Sequence, residues 1–151
     1  MSTFTLIHVV ISLIGIAAGL VVIYGFLEGK KLAGVNAVFL VMTILTSVTG
    51  FFFPFHGITP GIVVGVISLF MLAVAVVAWV KKWPKTYIVT SIVAEFFNVL
   101  VLIVQSFLKI SALHALAPKG TEPVTNVVKV AALVLFVVVG FVAVRRGKFA
   151  L

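Results

Sequence analysis

Apolar residues fall into five long runs, near Phe4 to Leu27, Leu32 to Phe53, Gly61 to Val80, Tyr87 to Leu108 and Val127 to Val144. Crossing about 30 Å of hydrocarbon takes about 20 helical residues at about 1.5 Å each, so every run predicts a membrane-spanning helix. Strands are excluded as an open alternative, because a sheet edge would leave backbone N–H and C=O groups unpaired in lipid. Short polar connections separate the runs at 28–31, 54–60 and 81–86, and a longer one covers 109–126. Pro60 suits the first turn of the third helix, with Thr59 before it as a cap. The pattern therefore predicts an all-α, polytopic transmembrane bundle of five helices, forming a single domain over residues 1–151. The first run lacks a basic leader and ends in Glu28-Gly29-Lys30-Lys31 instead of a small-residue cleavage site, so it is expected to be retained.

Composition agrees with this class. Hydrophobic residues make up 64% and charged residues 9% of the chain, and mean hydropathy is +1.41, whereas soluble domains carry about 25% charged residues. The absence of cysteine removes disulfides, thiolate metal sites and cysteine nucleophiles.

Charge sets the expected threading. Eight of the 11 basic residues, Lys30, Lys31, Lys81, Lys82, Lys85, Arg145, Arg146 and Lys148, fall on one side of a five-helix weave. The positive-inside rule makes that side cytoplasmic, with the N-terminus outside and the C-terminus inside. Glu28 is the only acid there, so most of the net charge of +8 is topological and no nucleic-acid partner is expected. Tyr24, Trp79, Trp83 and Tyr87 cluster at the same boundary and read as interfacial anchors.

Within the runs, Glu95 is the one carboxylate. Placing such a group at mid-membrane costs about 3 kcal/mol on insertion scales, so it normally faces protein, water or a partner. At about 100° per residue, Glu95, Asn98 and Gln105 share an arc of about 80° on the fourth helix, a polar face. Two readings stand: a stripe that handles protons or cations, or interhelical glue in which the three side chains pair with neighbouring helices. Ser12, Thr43 and Ser47 are the expected partners, in stripes that also hold Gly15 and Gly19 on the first run and Asn36 on the second and that read as packing seams. Gly61 and Gly65 form a GxxxG, a further packing signal.

The three histidines, His8, His56 and His114, belong to the outer side, where Glu122 could add an oxygen ligand. No HxxxH or HExxH spacing occurs. A divalent metal or a b-type haem on these residues is an alternative to the main expectation, which is no cofactor. Lys129, near the start of the fifth run, can snorkel to the outer surface. The chain contains no aspartate, and its three glutamates sit at three different depths, so no carboxylate pair shares a site and catalysis is not expected.

The segments Thr46-Ser-Val-Thr-Gly-Phe-Phe-Phe-Pro-Phe55, Gly65-Val-Ile-Ser-Leu69 and Leu113-His-Ala-Leu-Ala-Pro-Lys-Gly-Thr-Glu-Pro123 resemble parts of small multi-pass bacterial membrane proteins of unassigned activity. The resemblance implies a bacterial cytoplasmic (inner) membrane and gives the loop at 113–123 more weight than a spacer. Three functional expectations remain. The first is a structural or accessory component of the bilayer, homo-oligomeric or joined to other membrane subunits. The second is a small proton, cation or small-molecule channel or transporter using Glu95, Asn98 and Gln105. The third is a haem- or metal-binding redox protein using the outer histidines.

Overall fold

The computed structural model describes residues 2–54 and 57–151. Among these residues six helices follow one another: α1 (Thr3–Glu28), α2 (Ala33–Gly50), α3 (Pro60–Lys81), α4 (Pro84–Lys109), the single-turn α5 (Ser111–His114) and α6 (Pro123–Arg146). All but α5 are long and apolar enough to cross a membrane, and no strand occurs among the described residues.

Local chemistry sets the ends. The Ser2 hydroxyl accepts from the Thr5 N–H at 3.1 Å, and Thr59 caps α3 by accepting from Ile62 N–H at 3.3 Å. Proline occupies the first turn of α3, α4 and α6, where a missing N–H leaves no intrahelical bond unmade. The α6 helix consequently begins at Pro123, four residues before the expected Val127, and α4 begins at Pro84 instead of Tyr87. At the other end of α2 the helix stops at Gly50, and residues 51–53 form a turn in place of the expected last helical turn. Part of the expected loop at 109–126 is helical, as the end of α4, α5 and the start of α6.

The α4 helix is the hub. It packs against α1, α3, α5 and α6, and two side-chain hydrogen bonds join it to α2. It is also the most deeply buried of the five long helices. The remaining surface of α1, α3 and α6 is covered with exposed Leu, Val, Ile and Phe, as a lipid-facing surface requires.

At the basic end the segment after α6 folds back under the bundle. Gly147 turns with φ 59° and places Phe149, 4% exposed, between Phe26 and Tyr87, with ring centroids 4.8 and 6.1 Å away. Trp79 closes the cluster edge-on to Tyr87 at 5.0 Å. Gly29, at φ 71°, lies directly under the Lys148 backbone, where a β-carbon would come within 2.8 Å of its carbonyl oxygen. A left-handed conformation and this close approach both favour glycine there.

Candidate functional site

One stripe of α4 is buried along Tyr87, Ser91 and Glu95, with the half-buried Asn98 following on the same side. Steps of four, four and three keep these side chains on one helical face. That face meets α1 and α2 and makes polar contacts at two depths, and a third polar pair joins α1 directly to α2.

Deepest from both ends is Glu95, which is 0% exposed. Its carboxyl group lies directly on Gly19 of α1; a β-carbon on Gly19 would collide with the carboxyl carbon and both oxygens. Four residues earlier on α1, Gly15 faces the backbone and side chain of Met42 and the Thr43 hydroxyl, which a β-carbon would meet at 3.3 Å. Gly19 thus leaves the space that the acid fills, and Gly15 lets α1 approach α2 closely beside it. Asn98 bridges to the second neighbour, its amide donating to Glu95 Oε2 and to the α2 hydroxyl Thr43 Oγ1, both at 3.3 Å. Among the described residues Glu95 Oε1 is buried without a partner, as are the hydroxyls of Ser91, Thr46 and Thr125.

Towards the basic end, Tyr87 donates its hydroxyl to Asn36 Oδ1 at 2.6 Å, and the Asn36 amide donates back to Leu32 O at 2.8 Å. Both side chains are fully buried. Tyr87 is therefore a core residue and not the interfacial anchor expected of it; Tyr24 and Trp83 at the same level are exposed. The ring is driven inward because its hydroxyl finds a protein acceptor, which removes the reason to remain at the headgroups.

Towards the opposite end, His8 Nδ1 and Thr49 Oγ1 are 2.7 Å apart. The Thr49 hydroxyl donates to the Leu45 carbonyl at 2.7 Å, which leaves His8 Nδ1 as the donor to Thr49. The imidazole also stands edge-on to Phe53 at 4.9 Å.

The expected three-residue face does not hold together as one site. Glu95 and Asn98 meet, but Gln105 is exposed, four residues from the end of α4 and one and a half to two turns beyond Asn98. At that level the amide is near the membrane boundary and needs no protein partner. Of the expected helix partners, Thr43 joins the site, and Ser47 is buried one turn further along α2. Ser12 does not take part: its hydroxyl donates within α1 to His8 O at 2.7 Å. Gly65 packs against the Phe51 ring in the turn after α2 instead of forming a seam with Gly61.

The expected metal ligands are dispersed. His8 is half-buried and hydrogen-bonded to Thr49, His114 is exposed on α5, and His56 lies outside the described residues. Glu122 accepts instead from the backbone N–H of Lys119 at 2.9 Å and of Thr121 at 3.0 Å, folding the loop between α5 and α6 onto the start of α6. These bonds hold its carboxyl below the usual glutamate range. Among the described residues no three His, Asp or Glu side chains come together as a metal site.

Sequence reasoning reads Gly19 and Asn36 as members of packing seams facing α4, without pairing either to a particular residue, and passes over Ser91. Depth was the available signal: Gly19 is nine residues before the end of α1 and Glu95 eleven after the start of α4, so antiparallel neighbours bring them level. No protein-family model, curated protein or solved structure matches this chain.

Proposed function

We propose that the protein is a structural or accessory component of the bacterial cytoplasmic membrane, with its basic end in the cytoplasm, that acts by association within the bilayer and carries no catalytic chemistry of its own. Its apolar outer faces meet lipid and other membrane subunits or further copies of itself. The observation that carries this reading is the fit of Glu95 onto Gly19: the acid fills a glycine-floored space with no exposed surface. Interhelical polar contacts of this kind contribute about 0.6–2 kcal/mol each in membranes, enough to fix register between α1, α2 and α4. Among the described residues no basic side chain hydrogen-bonds the carboxyl, whose one bond comes from the Asn98 amide.

A second reading rests on a different observation. Among the described residues Glu95 Oε1 is unpartnered, and polar pairs recur within the bundle, between α4 and α2 at Tyr87–Asn36 and Asn98–Thr43 and between α1 and α2 at His8–Thr49. Such pairs would suit a proton path. Reconstitution into sealed liposomes separates the two. The structural reading expects proton and cation flux no greater than in protein-free vesicles, and a Glu95→Gln variant that assembles as the native protein does. Flux that the native protein supports and Glu95→Gln abolishes would replace it with the second reading.

A further inference from the structure

Between α2 and α3 runs an open groove of about 410 Å³. Ala33, Ala37, Val41 and Ile44 line it from α2, and Val76 and Trp79 from α3. The α2 residues recur every three or four positions, so they form one face, and the two alanines hollow it out near the basic end. From Ala33 to Ile44 the groove extends about 16 Å along the helix, from the membrane boundary into the hydrocarbon. Its walls present almost entirely C–H groups.

The mouth differs from the walls. Trp79 lies two residues from the end of α3, and the Lys31 ammonium is held 5.5 Å from the centre of its ring. Lys81 and the exposed Lys82 follow at the end of α3. This end of the bundle carries eight basic side chains against the single acid Glu28, which belongs to α1. An apolar slot that opens beneath a fixed cation matches an amphiphile of opposite design: a hydrocarbon chain below a negative headgroup.

We propose that the α2–α3 groove is a binding site for an anionic phospholipid, with one acyl chain along Ala37, Val41 and Val76 and the phosphate at Lys31. A free phosphate would use only the mouth. A second copy of the chain would cover the walls but bring its own basic end against this one, since parallel neighbours in a membrane align like ends.

Trp79 reports on the site directly. In a Trp83→Phe variant it is the remaining tryptophan, and the protein can be reconstituted in phosphatidylcholine vesicles containing a minor fraction of phosphatidylglycerol. Bromine is placed on the chains of one lipid or the other, and quenching of Trp79 is read at equal mole fractions. A basic residue near the surface contributes about 1 kcal/mol towards an anionic lipid, which corresponds to an apparent preference of about fivefold for phosphatidylglycerol. Lys31→Gln removes that factor, whereas Lys85→Gln, at the same end but on α4, leaves it in place. Ala37→Phe fills the groove and reduces quenching by both lipids, with helix content and elution volume unchanged.

Equal quenching by the two lipids overturns the proposal. An effect of Lys85→Gln as large as that of Lys31→Gln also overturns it, by assigning the preference to the diffuse field of the basic end. Protection of Trp79 from both lipids does so as well, because the groove would then be covered by protein.

Discussion

Two buried polar clusters of α4, eight residues apart, are held in different ways. At Tyr87 and Asn36 the tyrosine hydroxyl donates to the amide oxygen, and the amide nitrogen reaches the Leu32 carbonyl, with bonds of 2.6 and 2.8 Å. At Glu95 a single bond of 3.3 Å comes from Asn98, one oxygen is unpartnered, and the side chain is confined by the bare backbone of Gly19. The first cluster is fixed by hydrogen bonds and the second by shape. Substitutions should therefore act on opposite partners: at the first the polar atoms matter, and at the second the glycine matters more than the acid.

The largest expected effect is at Gly19. Leucine there would claim the space of the Glu95 carboxyl, and overpacking with displacement of a buried acid should cost about 3 kcal/mol or more. Thermal unfolding in detergent would show it, and adding Glu95→Ala should restore part of the loss because the two side chains compete for one volume. Tyr87→Phe comes next, at about 1–3 kcal/mol, since it leaves the buried Asn36 Oδ1 without its donor. The double variant Asn36→Leu with Tyr87→Phe should cost less than the sum of its singles. Glu95→Gln keeps the shape and should change stability by less than about 1 kcal/mol; a loss equal to that of Tyr87→Phe would erase the distinction between the clusters.

Smallest is the effect at Glu122, the same side chain placed in the loop between α5 and α6. Its carboxyl is held below the ordinary value near 4.5 by backbone N–H groups. A depressed folded-state value means its stabilisation is present above the unfolded value and is lost as pH falls through the folded one. Acid titration of thermal stability should accordingly show a shallow loss below about pH 4.5 that Glu122→Gln removes.

The five helices are readable in the sequence because each hydrophobic run matches the thickness of a bilayer, a constraint that leaves little choice of structure. Their starts were less legible: Pro84 and Pro123 read as loop punctuation, although each occupies a first helical turn just as Pro60 does. Glu95 was visible through its charge and Asn98 through its spacing. Gln105 satisfied the same periodicity, but angle around a helix carries no information about depth, and its position near the end of α4 decides its exposure. Gly19 reads as a packing-seam residue, and its role as the floor beneath Glu95 stays hidden because one glycine among 12 reveals it only when the facing residue is known. Phe149 was unreadable for a related reason: a lone aromatic after Arg145, Arg146 and Lys148 looks interfacial until the turn at Gly147 carries it under α1 and α4.

The seating of Glu95 has a consequence for biogenesis. Helices enter the bilayer in chain order, so α1 and α2 arrive with the Gly19 floor uncovered, and the acid that fills it follows only after α3. Until α4 docks, its carboxyl faces lipid or the insertion machinery, a penalty of about 3 kcal/mol that contact with the earlier hairpin relieves. Assembly is thereby biased to finish late and together, and a chain interrupted before α4 would carry a vacant notch in its first helix.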